Sequence, residues 1–295
     1  MSYLYLVMSG ILFGGVVFGA KVLYLMGASL FEVLFYPNLI SVLLVWGFAR
    51  RDFVIIFKMP WRITAVYVLS VTAIVFGQAA PLFLDVPVTR VVLLIYLQPV
   101  WTILIEHFYY RRPVPARNWY LVGAMVAGLI LLINPFGEKD IHFSWLGVGL
   151  ALLGGIGMSL WILVTQYFSR HNIKPAATYF CTCFYAAVPV FFLWLVAKDY
   201  ITAAPEASAI LGMEPGNRLW LALLLYSILI YTPANTLVFY GNRNVSPATV
   251  GMILLLEPVT GISLDIAFLG MTLTWNIIVG GIIILLSNLV LILKK

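Results

Sequence analysis

Long apolar runs separated by short polar or charged gaps dominate the chain. Cutting the sequence at clusters of charge, proline and glycine leaves ten apolar segments of helix length. A helix needs about 20 apolar residues to cross the hydrocarbon core of a bilayer. The pattern therefore predicts an all-α polytopic membrane protein with ten transmembrane helices, at 3–25, 29–49, 62–84, 87–108, 118–135, 144–168, 175–197, 218–241, 246–268 and 275–293.

Two of these segments resemble each other at a fixed offset. Val86–Glu106 and Val245–Asp265 lie 159 residues apart and share six identities in 21 positions. A Gln-Pro-Val element at 98–100 falls on a Glu-Pro-Val element at 257–259. Self-similarity at a fixed spacing indicates an internal duplication, and in a membrane protein it is typical of a transporter built from repeats.

The helix count fixes the relation between the two copies. Five helices is an odd number, so the second copy enters the membrane upside down, and we expect inverted-topology repeats. The predicted units are residues 1–137 and 144–295, joined by an outer linker at 138–143. A second polar stretch, residues 198–217, is expected to be an outer loop with a short interfacial helix.

Composition excludes a soluble domain. Hydrophobic residues make up 63% of the chain, charged residues only 9%, and the mean hydropathy is +1.05. The net charge of +6 lies mostly in the gaps between helices, so we expect no nucleic-acid partner. With a cytoplasmic N-terminus, the inner gaps hold twelve Lys and Arg residues and the outer gaps four. This bias predicts that both termini lie in the cytoplasm.

Among the charged residues inside or at the ends of the apolar runs, Lys21, Glu32, Glu257 and Asp265 are the candidates for a role in transport. A lipid-facing charge at mid-helix costs roughly 2.5–3.5 kcal/mol, so Lys21, Glu257 and Asp265 are expected to face the interior, water or each other. Lys21, Asp265 and Glu32 all belong near the outer side. A Lys21–Asp265 or Lys21–Glu32 pair is therefore expected, either as a fixed ion pair or as one that breaks during transport.

Glu257 is the main candidate for the transport site. It precedes Pro258, which removes a helical N–H and frees a carbonyl one turn back. Broken helices near the midplane are where transporters bind substrates and coupling ions, although a proline in a membrane helix is often only a kink. Gln98 and Pro99 occupy the equivalent, uncharged position in the first copy. Glu257 is expected to bind the substrate's positive group or a coupling proton.

Further candidates are polar or aromatic residues near prolines. Of the two aromatic residues nearest Gln98, Trp101 is favoured over Tyr96, because it lies at i+3. Each could equally be an ordinary core or interface residue. As a group they would suit an aromatic or cationic metabolite. The full set is Tyr36, Asn38, Gln78, Tyr96, Gln98, Trp101, Trp161, Asn235 and Glu257, with possible kinks at Pro99 and Pro258.

An enzyme is not expected. The three histidines lie near predicted helix ends, none at metal-ligand spacing from a second ligand, and no Gly-x-Ser-x-Gly element occurs. No metal or other cofactor is expected, apart from possible proton coupling. A channel or a non-transporting receptor is the other class left open.

These residues resemble a known family. Two halves of five helices, each with a (Gln/Glu)-Pro-Val element in the fourth helix, resemble the EamA-type proteins of the drug/metabolite transporter superfamily. Phe13-Gly14 followed by Lys21 resembles the family's Trp-Gly…Lys pattern, with Phe in place of Trp. The family's frequent Arg early in the second helix is absent, since Phe35 and Tyr36 stand there.

The resemblance implies a ten-helix carrier of a bacterial or archaeal cytoplasmic (inner) membrane. Its helices three, four, eight and nine, with parts of one, two, six and seven, would surround a central cavity. Helices five and ten would be peripheral. The expected function is secondary transport of a small polar or aromatic metabolite, such as an amino acid, by export or exchange. Import of a cationic or nucleoside-like metabolite is the alternative. The expected partners are the substrate and the lipid bilayer, and the oligomeric state stays open.

Overall fold

The computed structural model describes residues 2–49, 59–109, 111, 113–133, 144–171, 173–203, 208–241, 250 and 253–293. These residues form helices connected by short turns. The helices are α1 Ser2–Leu25, α2 Leu30–Ala49, α3 Trp61–Phe83, α4 in two parts (Val88–Ile95 and Gln98–Phe108), α5 Ala116–Ile133, α6 Trp145–Arg170, α7 Pro175–Ala203, α8 Asn217–Gly241, α9 Leu256–Leu269 and α10 Trp275–Leu293.

The ten predicted helices correspond to α1–α10. The largest difference is at the end of α7, which continues six residues past the predicted end at 197. The predicted outer loop is therefore shorter, and it contains a single helical turn at Ser208–Leu211. The linker predicted at 138–143 and the first residues of the ninth predicted helix lie outside the described residues.

The helices have the dimensions of an integral membrane protein. Seven described helices are long and apolar enough to cross a bilayer, and α5 and α10 are shorter apolar helices. Large apolar side chains are exposed on their outer surfaces, including Leu43, Leu69, Phe192, Val196 and Leu229. Such side chains suit a hydrocarbon environment, in which no water is available to solvate the surface.

Helix pairing sets where the interior lies. α3 packs along α6, α2 along α7, α5 along α10, and α1 against both α8 and α9. Both parts of α4 contact α6. The largest buried apolar cluster takes members from α1–α8 and α10.

Glycine allows the closest of these approaches. A Cβ added at Gly77 of α3 would lie 2.4 Å from the Cα of Gly154 on α6, and one at Gly157 would lie 2.7 Å from the Ser70 carbonyl oxygen. Small residues at helix contacts let backbones approach closely in membranes. The α3–α6 contact therefore depends on glycine on both sides.

The middle of α8 is not an α-helix. Ser227–Tyr231 form a π-helical turn, in which the N–H of Thr232 donates to the carbonyl of Ser227, five residues back. Pro233 follows immediately. Single π turns inside α-helices occur frequently at functional sites.

Candidate functional site

α4 and α9 are interrupted at the same position of the sequence repeat. α4 stops at Ile95 and resumes at Gln98, and α9 begins at Leu256 after a turn at Leu255. The 159-residue offset places Tyr96 on Leu255. The two interruptions lie just before Pro99 and Pro258, where the sequence predicts kinks.

The carbonyls freed by the two prolines have different neighbours. Pro258 cannot donate to the Leu254 carbonyl, which instead accepts a 2.7 Å hydrogen bond from the Tyr96 hydroxyl. Pro99 likewise frees the Ile95 carbonyl. There, α6 approaches so closely that a Cβ added at Gly155 would lie 3.2 Å from the oxygen. The α9 interruption is thus closed by Tyr96, a side chain of the first half, and the α4 interruption by close packing of the α6 backbone at Gly155.

Glu257 is buried at the α9 interruption, with 4% of its surface exposed. The Tyr96 hydroxyl lies 3.1 Å from its Oε2 and is its only hydrogen-bond partner among the described residues. Tyr96 is also held by Asn288 of α10, whose Nδ2 donates to the Tyr96 carbonyl at 2.9 Å. The sequence favours Trp101 over Tyr96 because Trp101 lies at i+3 from Gln98, and that spacing holds within the second part of α4. Tyr96 lies before the interruption, and it is the residue that contacts Glu257.

Gln98 and Trp101 lie at the contact between α4 and α6. The Gln98 carbonyl accepts a 2.7 Å hydrogen bond from Ser159 Oγ, and its side-chain Nε2 donates to Thr102 Oγ1 at 2.7 Å. The indole nitrogen of Trp101 lies beside Gly155, 3.3 Å from where a Cβ would stand. Their described polar contacts are with α4 and α6, whereas the carboxyl of Glu257 is bound by Tyr96.

Two cavities of very different size lie apart from Glu257, and the larger opens to the surface, where its wall residues Leu44 and Tyr240 are 42% and 41% exposed. The larger, of about 510 Å³, lies between α2, α7 and α8, where α2 and α8 finish and α7 begins. Its described walls include Leu44, Tyr179, Thr232, Thr236, Phe239 and Tyr240. The smaller, of about 20 Å³, lies toward the opposite end between α1, α2, α3 and α8. It has room for about one water molecule.

The small cavity brings together two residues predicted from the sequence. Asn38 and Gln78 both line it, together with Tyr226 and Tyr231. The Tyr231 hydroxyl donates to Asn38 Oδ1 at 2.9 Å. A polar α2–α8 contact thus forms one wall of this cavity.

Two hydrogen-bonded groups between the helices, one centred on Ser41 and the other the Asn38–Tyr231 pair, contribute to the walls of the two cavities. Ser41 Oγ lies 2.7 Å from Thr232 Oγ1 and accepts a 3.0 Å hydrogen bond from the Tyr179 hydroxyl. Tyr179 and Thr232 line the large cavity, whereas Asn38 and Tyr231 line the small one. We call these five residues the polar layer. It joins α2, α7 and α8 between the two cavities.

Four residues of the polar layer, Ser41, Tyr179, Tyr231 and Thr232, are missing from the sequence candidates. Ser41 lies three residues after Asn38, so it extends the same polar face of an apolar helix, and that spacing is a usable signal. Thr232 directly precedes Pro233, which also draws attention to this position. Tyr179 has no comparable signal in a chain with 15% aromatic residues.

Lys21 has a different partner from the ones predicted. Its Nζ donates to the Leu82 carbonyl at 2.8 Å and to Asp85 Oδ1 at 3.4 Å. The predicted pairs with Asp265 and with Glu32 are both wrong. Leu82 belongs to the last turn of α3, where unpaired carbonyls favour a cation. The turn that follows brings the Asp85 carboxylate to the same ammonium group.

Asp265 is bound to the beginning of α4. Its Oδ2 accepts hydrogen bonds from the backbone N–H of Thr89 at 2.8 Å and from the Thr89 hydroxyl at 2.7 Å. α4 begins at Val88 after Pro87, which supplies no capping side chain. The carboxylate from α9 therefore performs the task of a helix N-cap, which a negative charge does well.

Glu32 closes the beginning of its own helix. Its Oε2 accepts from the Ser29 backbone N–H at 2.9 Å, while Ser29 Oγ accepts from the Glu32 N–H at 3.1 Å. This reciprocal pair is a capping box. The Ser-x-x-Glu spacing is visible in the sequence, and it identifies a capping role that the search for ion pairs missed.

The remaining candidates lie apart from Glu257. The Tyr36 hydroxyl donates to the Met213 carbonyl at 2.6 Å, in the segment before α8. The Trp161 ring centroid is 5.8 Å from that of Phe239, next to the large cavity. Asn235 Nδ2 donates to a carbonyl one turn back in α8. The sequence candidates thus divide among several places in the interior.

Metal-ligand side chains are not grouped in the described part of the chain. No three His, Cys, Asp or Glu side chains there could hold one metal ion. Cys181 and Cys183 are buried and free.

The sequence matches the model of a known protein family. The model of the EamA-like transporter family matches residues 145–293, just over half of the chain. The chain belongs to the EamA-like transporter family. The resemblance inferred from the (Gln/Glu)-Pro-Val elements is thereby confirmed, and membership indicates a membrane transporter of the drug/metabolite transporter superfamily.

Solved structures support the same fold. One crystal structure, described only as that of a protein, is 15% identical, with a TM-score of 0.58 over 96% of both chains. At this identity the likeness shows the fold of the transporter and nothing of its substrate. No curated protein matches the chain.

Proposed function

We propose that this protein is a secondary active transporter that exports or exchanges a small polar or aromatic metabolite, such as an amino acid, by alternating access. The observation that carries the proposal is the pair of unequal cavities that lie on either side of the polar layer. About 510 Å³ at one end falls within the range of small-molecule sites, whereas about 20 Å³ at the other end admits no metabolite. This is the arrangement of a carrier with access from one side.

The walls of the large cavity indicate the class of substrate. Two tyrosines, a phenylalanine and two threonines line it together with six aliphatic or proline side chains, and none of its described lining residues is charged. A largely apolar wall with aromatic rings and a few hydroxyls suits a ring-bearing molecule that carries a few polar groups. A nucleoside-like metabolite fits the same walls, but a cationic one would meet no carboxylate among these described residues. This wall chemistry favours transport of a small polar or aromatic metabolite over import of a cationic one.

Several contacts close the opposite end. In the segment before α8, the carbonyls of Gly212 and Met213 accept hydrogen bonds from Ser29 and Tyr36 of α2. The Tyr36 ring lies 4.5 Å from the Trp220 ring, centroid to centroid. Opening this end for substrate requires these contacts to separate. The Lys21–Asp85 and Asp265–Thr89 contacts would change in the same step.

Helix pairing supports inverted repeats. In two five-helix repeats, α1 is equivalent to α6, α3 to α8 and α4 to α9. Exchanging each helix with its equivalent turns the α1–α8 contact into α6–α3, and the α1–α9 contact into α6–α4. The contacts α2–α7 and α5–α10 map onto themselves. All of these contacts occur. With both termini in the cytoplasm of a bacterial or archaeal cell, the large cavity lies on the cytoplasmic side of the inner membrane.

Filling the cavity tests the proposal. Ala176→Phe adds a ring inside the large cavity and should abolish saturable counterflow in proteoliposomes. The matched control is Leu43→Phe, because Leu43 is 66% exposed on the outer surface of α2, beside the cavity residue Leu44. Substrates would first be found by thermal stabilisation against amino acids, nucleosides and quaternary amines, since a ligand of the folded state raises its stability.

The outcomes separate the competing classes. Counterflow in the wild type that survives Ala176→Phe would remove the large cavity from the pathway. Flux without saturation would identify a channel. Turnover of a lipid or peptide without transport would identify an enzyme.

A further inference from the structure

The Tyr96 hydroxyl stands between two acceptors. It lies 2.7 Å from the Leu254 carbonyl and 3.1 Å from Glu257 Oε2. A phenol carries a single hydrogen, so it donates to one of these oxygens at a time. The Leu254 carbonyl has no helical N–H partner, because Pro258 stands four residues later. It is the nearer of the two acceptors.

The surroundings of Glu257 offer no counter-charge in the described part of the structure. α1 covers the α9 interruption with glycines: added Cβ atoms at Gly10 and Gly14 would lie 3.1 Å from the Ile253 carbonyl and 2.7 Å from the Glu257 carbonyl. α4 contributes the Tyr96 phenol. The charged groups on the same elements are engaged elsewhere, Lys21 at the end of α3 and Asp265 at Thr89. Arg90 of α4 precedes Tyr96 by six residues and has its own interaction.

A carboxylate at this position would be buried with one shared hydrogen bond. Burying an unpaired charge costs several kcal/mol after relaxation, and such a group commonly neutralises by taking up a proton. A protonated carboxyl donates a hydrogen bond. It can therefore donate to the Tyr96 oxygen while Tyr96 donates to Leu254, so that Glu257 Oε2, the Tyr96 hydroxyl and the Leu254 carbonyl each have a partner.

We propose that Glu257 and Tyr96 form a proton-binding site that links the interruptions of α4 and α9. In the structure described here, Glu257 holds the proton and donates to Tyr96, which donates to the Leu254 carbonyl. When the proton leaves, the Tyr96 hydroxyl keeps its hydrogen but donates it to the Glu257 carboxylate in place of the Leu254 carbonyl, which loses its hydrogen-bond donor. Proton release thereby changes the contact between the two halves. This rests on the proposed transport function and names its coupling ion.

The site differs from the cavities in what it can bind. The described walls of both cavities do not include Glu257. A proton reaches such a position through hydrogen-bonded groups, whereas a metabolite does not. The residue is thus assigned to proton coupling, and binding of the substrate's positive group is left without support from the geometry.

Infrared difference spectroscopy on the purified protein in nanodiscs tests the site with protons alone. Spectra at low minus high pH should show a protonated-carboxyl carbonyl band that Glu257→Gln removes. Tyr96→Phe should keep this band but shift its frequency, because the hydrogen-bond partner is lost. Glu32→Gln is the matched control, since Glu32 is another buried carboxyl, and it should leave the Glu257 band in place.

The result that overturns the inference is a pH-difference spectrum in which Glu257→Gln leaves every carboxyl band unchanged. An unshifted band in Tyr96→Phe would also overturn it, and this variant stays informative if Glu257→Gln does not fold. If the wild type shows counterflow but no Glu257 band, the proton-site proposal is rejected and the transport proposal stands. If the Glu257 band is present but no compound of the panel gives counterflow, the proton-site proposal stands and the transport proposal is rejected.

Discussion

At the scale of single residues, the charges in the membrane region mostly serve helix ends. Lys21 binds a carbonyl in the last turn of α3, Asp265 binds the first turn of α4, and Glu32 caps α2. Helix termini leave backbone groups unpaired, which is costly where no water is present. Glu257 differs, because its side chain has no described hydrogen bond to a backbone group at a helix end, and its described partner is the Tyr96 hydroxyl. This difference separates structural charges from the candidate functional one.

Glu32 variants test the capping assignment. Glu32→Ala should lower the free energy of unfolding by about 0.5–2 kcal/mol, because the Ser29 N–H loses its acceptor. Glu32→Gln keeps an acceptor oxygen, and its stability and counterflow should stay near the wild type. Thermal denaturation and counterflow on the same preparations measure both. Loss of counterflow in Glu32→Gln at unchanged stability would instead show that the charge itself takes part in transport.

The sequence predicts some of the site residues and misses their partners. Glu257 and Pro258 stand out in an apolar run, since the cost of a buried charge is a property of the residue. Asp85 as the partner of Lys21 is different. It depends on the turn after α3, where Asp85 adopts a positive φ of 57°. Sequence spacing does not give that turn, so the ion pair could not be assigned from the residues alone.

At the scale of elements, glycine decides how closely α3 and α6 pack. Gly77→Ala places a Cβ 2.4 Å from the Gly154 Cα and should force the backbones apart, at a cost of about 1–3 kcal/mol. Gly149 lies on the same α6 with open space around it. Gly149→Ala should therefore be neutral or stabilising, because alanine is the better helix former.

Apparent melting temperatures of the two variants in one lipid or detergent give the comparison. Equal melting temperatures for Gly77→Ala and Gly149→Ala would contradict the close contact.

Helix positions themselves are well predicted, because apolar length and prolines are local features. The continuation of α7 to Ala203 is missed, since polar residues beyond 197 favour a loop by composition, whereas the helix continues through them.

At the scale of the whole molecule, the placement of positive charge predicts its orientation. Leu273, in the turn between α9 and α10, belongs outside, and Phe108, at the end of α4, belongs inside. A membrane-impermeant maleimide on intact cells should label Leu273→Cys and not Phe108→Cys. The native Cys181 and Cys183 are each 1% exposed and should give little background. The reverse labelling pattern would invert the proposed topology and move the large cavity to the outer side.

The π-helical turn at Ser227–Tyr231 has a consequence for how α8 is compared with other helices. It holds one residue more than an α-helical turn would, so the segments before and after it differ in rotational phase by about 100°. Heptad or i, i+4 rules therefore hold within Asn217–Tyr226 and within Thr232–Gly241, but not across them. An alignment that treats α8 as one uninterrupted helix would place Trp220 and Asn235 on the wrong relative faces, and a one-residue gap belongs at this turn.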